Sequence, residues 1–236
     1  MGREKRVVIE YFTDVLCVWA YGAQIRLDQL KKDFGDQIEI VNRFLPLFAA
    51  TAERIRRDWS DRDGYAGFSR HVQTISATWD HIEVNPQLWL KDAPASSTPA
   101  HLFLKAMQLL EQRGELGDAT RTGAQTASRF EVAAWRVRQA FFEEARNVAK
   151  QTVLADIARS LELPLPEIQR LLDDGEAHAA LHLDVEAKER YQVPGSPTLV
   201  LNEGRQRLYG NVGYRVIEAN VQELLRDPRY GEASWC

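Results

Sequence analysis

Cysteine is scarce in this 236-residue chain, which contains only Cys17 and Cys236. The two stand near opposite ends of the sequence, which argues against the dense disulfide framework of small secreted domains. A chain that makes so little use of cysteine is typical of a reducing compartment. We therefore expect a cytoplasmic protein.

Long apolar runs and an excess of one charge are also missing. Residues 1–6 lead directly into a short apolar segment, without the apolar stretch and small-residue cleavage site of a signal peptide. No run approaches the length that is needed to cross a bilayer. The formal net charge is −4, with both signs mixed along the chain. We therefore expect neither a nucleic acid nor a membrane as a partner.

The sequence offers little for a metal or a phosphate group. His178 and His182 have the i,i+4 spacing of a helical metal pair. The nearest further ligand, Asp184, would not share their helix face, and zinc needs three or four protein ligands. No Gly-rich phosphate loop, Gly-x-Ser-x-Gly turn or pair of carboxylates stands out. We expect no metal site and no tightly bound cofactor.

The segment around Cys17 carries the clearest chemical signal. Residues 7–12 are β-branched, aromatic and apolar, which predicts a buried strand. Apolar residues then recur at helical spacing as far as Phe34, and Gly35 stands at the expected C-cap. Cys17 thus precedes the first turn of a helix, where free N–H groups and the helix dipole favour a thiolate. We expect its pKa to lie at about 3.5–7.5, below the free value of about 8.5, and Cys17 to be a nucleophile.

The rest of the chain returns to strands after a long helical region. A second strand is predicted over residues 38–45 and ends at Pro46. Helical patterns then cover residues 64–79, 98–114, 131–145, 152–161, 166–175 and 176–191. Two strands at 198–202 and 207–212 and a helix at 214–226 complete the chain. This order indicates an α/β fold.

Two of these segments resemble the DsbA-like thioredoxin-fold superfamily. One is the strand–Cys17–helix–strand opening, and the other is Tyr191-Gln-Val-Pro-Gly-Ser-Pro197-Thr-Leu-Val-Leu-Asn202, which is similar to its cis-proline loop. The long helical region narrows the resemblance to the FrnE-like and 2-hydroxychromene-2-carboxylate isomerase-like branches. It implies a thioredoxin-like domain at residues 1–50 and 176–236, with a large all-helical insertion at residues 51–175 between its βαβ and ββα halves.

The resemblance also assigns the site residues around the cysteine, with one departure from the family. The Cys-x-x-Cys motif of redox relatives reads Cys17-Val18-Trp19-Ala20 here, so the second, resolving cysteine is absent. Cys17 is then a single catalytic nucleophile. Val18, Trp19 and Ala20 are expected to line the active site and to shape the exposure of the sulphur.

On the facing loop, the resemblance implies that the Ser196–Pro197 bond is cis and lies beside Cys17. In similar proteins the backbone of the residue before the cis-proline pairs with substrate, and here that residue is Ser196. Its hydroxyl could also donate to the thiolate and lower the pKa of Cys17 further. His101, near the predicted start of a helix that relatives turn toward the site, is expected as a polar contributor.

Three functions are compatible with these residues. The first is a thiol–disulfide oxidoreductase, in which Cys17 forms a mixed disulfide with a protein or with glutathione. The second is a glutathione-dependent isomerase or transferase of the 2-hydroxychromene-2-carboxylate isomerase and kappa-class type. Those enzymes carry serine in place of Cys17 and use glutathione as a cosubstrate. The third is a peptide-binding or chaperone-like module that uses the groove beside Pro197.

The C-terminal residue, Cys236, has two interpretations: an incidental thiol on a free tail, since chain termini are disordered by default, or a resolving thiol. Trp235 beside it favours a tail that docks on an apolar surface rather than one that remains free. If the docked tail reaches Cys17, air-oxidised protein should lose both free thiols without gaining glutathione or dimerising, and Cys236→Ser should accumulate mixed disulfides. Thiol titration and intact mass measure this, and two thiols that persist under oxidation would contradict it.

Overall fold

A computed structural model describes residues 6–117, 120–122 and 125–226 of the chain. Four strands form the main sheet in the order β2-β1-β5-β6: β1 at Val7–Thr13, β2 at Ile38–Phe44, β5 at Thr198–Leu201 and β6 at Gln206–Tyr209. β1 runs parallel to β2 and antiparallel to β5, and β6 runs antiparallel to β5. The strand that leads to Cys17, β1, is therefore one of the two inner strands of the sheet.

Helices account for most of the remaining structure. The first part contains α1 at Val18–Gly22, α2 at Gln24–Phe34, α3 at Thr51–Trp59, α4 at Gly64–Ser76 and α5 at Thr98–Gln112. The second contains α6 at Arg129–Phe142, α7 at Gln151–Ser160, α8 at Leu165–Asp173, α9 at Glu176–Arg190 and α10 at Tyr214–Leu225. None of these described helices has the length and apolarity that crossing a bilayer requires.

The sheet is covered on both faces because successive strand residues point to opposite sides. Ile9 and Tyr11 of β1 pack with Leu27 and Leu30 of α2 and with residues of α10 on one face. Phe12 and Val200 pack with Ala187 of α9 on the other. This three-layered packing, with helices on both faces of the sheet, is the thioredoxin arrangement implied by the resemblance, and the α/β fold class is confirmed.

The segment that surrounds Cys17 belongs to a different core. Val15, Leu16, Val18 and Tyr21 are buried together with apolar side chains of α4 to α8. The loop that carries the nucleophile is consequently held by the helical region between β2 and β5. The sheet itself fixes only the strand before it.

Three local features differ from the sequence-based expectations. The helix after Cys17 is interrupted near Ala23, which lies between α1 and α2. The helical region is not all-helical, since a hairpin of β3 at Thr120–Thr122 and β4 at Gln125–Ala127 interrupts it. Such three-residue strands are too short to produce an alternating pattern that sequence reading can detect. Helix α5 begins one residue earlier than a Thr98 N-cap would require, with Ser97 as the N-cap.

A buried ionic cluster joins the sheet to the helical region. Asp184 of α9 is fully buried, accepts a hydrogen bond from the backbone N–H of Phe44 at 2.9 Å, and pairs with Arg43 at 3.2 Å. Its second ion pair is with Lys105 of α5, at 3.0 Å. Burial lowers the pKa of Lys105, while the carboxylate of Asp184 opposes that shift. Asp184 thus neutralises a lysine that is 7% exposed.

Substitution Asp184→Asn should destabilise the protein by about 3 kcal/mol, because it leaves the buried Lys105 without its countercharge. Urea unfolding followed by circular dichroism measures the change. Glu186→Gln is the matched control on the same helix, since Glu186 makes an exposed pair with His182, and it should leave the unfolding midpoint unchanged. Equal midpoints for both variants would contradict a structural role for the cluster.

Candidate active site

Cys17 lies at the junction between strand β1 and helix α1. It is the N-cap residue of α1, with extended backbone angles, and follows β1 after a three-residue loop. Its Sγ donates a hydrogen bond to the carbonyl oxygen of Ser196 at 3.3 Å. The Ser196–Pro197 bond is cis. The predicted cis bond and its position beside Cys17 are therefore both confirmed.

The carboxylate of Asp14, three residues before Cys17, organises the surrounding loops. It is fully buried, and its Oδ1 accepts from the backbone N–H of Leu16 at 2.8 Å. Its Oδ2 accepts from the N–H of Phe48 at 3.1 Å and from the hydroxyl of Ser97 at 2.8 Å. One side chain thus binds the Cys17 loop to the segment after β2 and to the start of α5.

The backbone of Asp14 reaches the facing loop as well. Its N–H donates to the hydroxyl oxygen of Ser196 at 3.0 Å. Because that oxygen accepts from the backbone, the hydroxyl proton of Ser196 is free to point toward the sulphur of Cys17. Two hydrogen bonds, one from the N–H of Asp14 and one from the sulphur of Cys17, therefore connect the Cys17 loop to Ser196 of the cis-proline loop.

His101 supports the loop from behind. It is fully buried on α5, and its Nε2 accepts a hydrogen bond from the N–H of Val15 at 3.2 Å and lies 3.6 Å from Asp14 Oδ1. Its ring stacks on Phe44 with centroids 5.2 Å apart. Burial alone would raise the pKa of Asp14, but His101 and the N–H groups that Asp14 accepts lower it below its usual value. The contacts found for His101 reach the loop before Cys17, not its sulphur.

The thiol itself is in an environment that disfavours the thiolate. Cys17 is 8% exposed, and burial raises the pKa of its thiol above the ordinary value. Hydrogen bonding from the Ser196 hydroxyl and the proximity of the Ala20 N–H act in the opposite direction, and the negative charge of Asp14 adds to the increase. The expected lowered pKa is therefore wrong in direction. Helix α1 has only five residues, so few aligned peptide dipoles stand behind the sulphur.

The three residues after Cys17 have different surroundings. Val18 and Ala20 are buried, whereas Trp19 is 36% exposed and packs edge-on against Trp79 at 5.5 Å. Gly22 permits this approach, since a Cβ there would come within 2.6 Å of the Trp79 ring. Of the residues expected to line the site, Trp19 is the one that presents a side chain to solvent beside the nucleophile.

The comparison with protein families matches residues 8–222 to the DSBA-like thioredoxin domain. The chain belongs to that family. No curated protein gives a significant match. The match extends over the strands, the helical region and both loops of the site, which is the extent that the sequence resemblance implied.

Solved structures with the same fold are distant in sequence. A probable DsbA oxidoreductase from Streptomyces coelicolor is 17% identical, with 98% of this chain and 93% of that chain covered and a TM-score of 0.69. The cytosolic disulfide reductase DsbM from Pseudomonas aeruginosa is 17% identical, with 91% and 98% covered and a TM-score of 0.64; it has also been solved with GSH. A 2-hydroxychromene-2-carboxylate isomerase is 17% identical, with 93% and 96% covered and a TM-score of 0.59.

The remaining candidate residues from the sequence are the histidine pair, His178 and His182, and the C-terminal Cys236. His178 and His182 are exposed on α9, while Asp184 is buried in the ionic cluster. In the described part of the chain, no group of three or more histidine, cysteine or acidic side chains could hold a metal ion. Cys236 lies outside the described residues.

Sequence reading missed three polar residues near the thiol. Asp14 and Ser97 are buried and hydrogen-bonded to one another, and Arg138 of α6 is buried below the end of β1. Asp14 has a local signal, because Asp followed by a turn before a helix start is typical of side-chain-to-backbone bonding two residues on. Arg138 has none, since the helical pattern does not distinguish it from surface arginines.

The titration of Cys17 should reflect its burial. In a Cys236→Ser background, the rate of alkylation by iodoacetamide should rise with pH and reach its midpoint at or above the free-thiol value of about 8.5, because burial disfavours the charged form. Urea-unfolded protein, in which the thiol is solvated, is the control. A midpoint between about 3.5 and 7.5 would contradict the structure and support an activated thiolate instead.

Proposed function

We propose that this protein is a thiol–disulfide oxidoreductase that acts through Cys17 as a single nucleophile. The observation that supports this most directly is the sulphur at the N-terminus of α1, 3.3 Å from the carbonyl oxygen of Ser196 beside the cis Pro197. A thiol in that place faces a backbone edge along which an extended substrate can pair. Membership of the DSBA-like family supports the same reaction class.

The reaction has two exchange steps. The Cys17 thiolate attacks one sulphur of a substrate disulfide, the S–S bond breaks, and the second substrate sulphur leaves as a thiolate. Cys17 is then held in a mixed disulfide. Ala20 replaces the resolving cysteine of redox relatives, so a second thiol must attack the mixed disulfide and release Cys17. Glutathione, a partner protein or Cys236 can provide that thiol.

Glutathione is the small thiol that we propose as the cosubstrate, with the cytoplasm as the compartment. Two cysteines in 236 residues suit a reducing environment. The similarity to a cytosolic disulfide reductase that has been solved with GSH supports both parts of this proposal. Glutathione would then be a substrate and not a tightly bound cofactor.

A second candidate is a glutathione-dependent isomerase or transferase. The specific observation in its favour is that burial raises the pKa of Cys17, so that the thiol stays protonated and donates a hydrogen bond. A neutral S–H donor can do what the serine hydroxyl of the isomerase branch does at this position. In that case Cys17 orients the thiolate of bound glutathione and forms no disulfide with it.

The variant Cys17→Ser separates the two candidates. For an oxidoreductase, the reduction of a test disulfide by reduced glutathione should fall to the uncatalysed rate, because serine cannot form the mixed disulfide. Wild-type protein treated with oxidised glutathione should carry one adduct at Cys17, detected by peptide mass mapping. Cys236→Ser is the matched control and should still form that adduct.

Other outcomes would identify a different function. A Cys17→Ser variant that retains glutathione-dependent isomerisation or transfer, with no adduct on the wild type, would contradict the redox proposal and support the second candidate. Peptide binding that is unchanged by the substitution, with no glutathione-dependent activity in either protein, would contradict both and indicate a binding module.

A further inference from the structure

Arg138 is a buried cation at the end of the strand that leads to the nucleophile. Its side chain extends from α6, is 5% exposed, and donates through Nη2 to the hydroxyl oxygen of Thr13 at 2.7 Å. Thr13 is the last residue of β1, at the start of the loop to Cys17. The other terminal nitrogen, Nη1, is buried and has no hydrogen-bond partner among the described residues. In the described chain, no carboxylate forms an ion pair with this guanidinium.

An unpaired guanidinium is unusual at this depth. Arginine keeps its charge in proteins, and burying a charge without a partner is costly. Arg138 lines a cavity of about 40 Å³ together with Tyr11 and Thr13. That volume has room for about one water, which can solvate Nη1 without neutralising it. The positive charge therefore stays available to neighbouring groups through an interior that screens it poorly.

The charge of Arg138 affects ionisable groups before, within and after the Cys17 loop in the sequence. Burial raises the pKa of Tyr11 to about 12, and the charge of Arg138 is the largest effect that opposes the increase. At Cys17, where burial again raises the pKa, Arg138 acts in the opposite direction, after the stronger effects of the Ser196 hydroxyl and the Ala20 N–H. The same holds for Tyr21 on α1. Each of these groups would become negative on losing its proton, and Arg138 favours that form in all three.

The other charged groups around this cavity do not substitute for Arg138. Lys31 of α2 is paired with Glu131 of α6 at the rim of the cavity. Asp14 carries a negative charge that raises the pKa of Cys17. Glu143 is engaged by the hydroxyl of Tyr21 at 2.6 Å. Arg26 of α2 acts on Tyr11 more weakly than Arg138 does.

We propose that Arg138 is an electrostatic positioning residue of this site, whose fixed positive charge stabilises the thiolate of Cys17. It acts on a substrate only through the sulphur. The charge offsets part of the effect of burial and of Asp14, both when the thiolate forms and when Cys17 leaves a mixed disulfide. The last of these roles rests on the proposed function, but the effect on the thiolate does not.

Two substitutions separate charge from structure. Arg138→Gln removes the charge but keeps an N–H donor for Thr13, whereas Arg138→Lys keeps the charge. In a Cys236→Ser background, alkylation by the neutral reagent iodoacetamide should be about tenfold slower in the glutamine variant at every pH below the midpoint, which is a pKa increase of about one. The lysine variant should stay within about threefold of the parent. Arg136→Gln, on the same helix as Arg138, removes an ion pair with Glu144 beyond the helix end and should leave the pH profile unchanged.

Circular dichroism and thermal unfolding establish that the variants are folded. If Arg138→Gln does not fold, Arg138→Met takes its place as the uncharged variant and is compared with Arg138→Lys in the same way. A glutamine or methionine variant with the parental pH profile overturns the proposal. A lysine variant that shifts the profile as far as the uncharged one also overturns it, since charge would then not be the cause.

The outcome is distinguishable from that of the proposed function. A shifted alkylation profile in a protein without disulfide exchange supports the role of Arg138 and removes the oxidoreductase function. Disulfide exchange that depends on Cys17 but is unaffected by Arg138→Gln, with an unchanged alkylation profile, supports that function and overturns the role of Arg138.

Discussion

The site depends on one buried carboxylate. Asp14 accepts hydrogen bonds from the N–H of Leu16, the N–H of Phe48 and the hydroxyl of Ser97, while its own N–H holds the hydroxyl of Ser196. These partners come from four segments that are far apart in the sequence. A buried carboxylate is stable only when its oxygens are satisfied. The segments must therefore meet in one arrangement, and that arrangement places Cys17 against the cis-proline loop.

The same carboxylate makes the thiol harder to ionise. Burial and the charge of Asp14 raise the pKa of Cys17, while the Ser196 hydroxyl, the Ala20 N–H and Arg138 lower it. The negative charge of Asp14 thus holds the loops in place but destabilises a thiolate at Cys17. Arg138 lowers the pKa of Cys17 without disturbing the hydrogen bonds of Asp14, because its guanidinium contacts Thr13 and not the groups that Asp14 binds.

The elements that sequence reading predicted well are those with a strong local pattern. The apolar run of β1, the helical spacing that ends at Gly35 and the strand after Pro197 all have the predicted type. Gly35 adopts a positive φ of 49° at the end of α2, where glycine carries no steric cost. Such patterns define the ends of helices less closely than their type. Helix α5 begins one residue earlier than predicted, and the hydroxyl of its N-cap residue, Ser97, hydrogen-bonds to Asp14 instead of capping the helix.

The fold class, the position of Cys17 at a helix start and the absence of a second cysteine at position 20 could all be predicted from the sequence, because periodicity and residue identity are local properties. Tertiary structure alone decided the protonation tendency of the thiol and the partners of Asp14, Asp184 and Arg138. Desolvation and Coulomb interactions depend on how chain segments far apart in sequence pack together. The order of residues around Cys17 favoured a thiolate, and the three-dimensional burial of its sulphur reversed that preference.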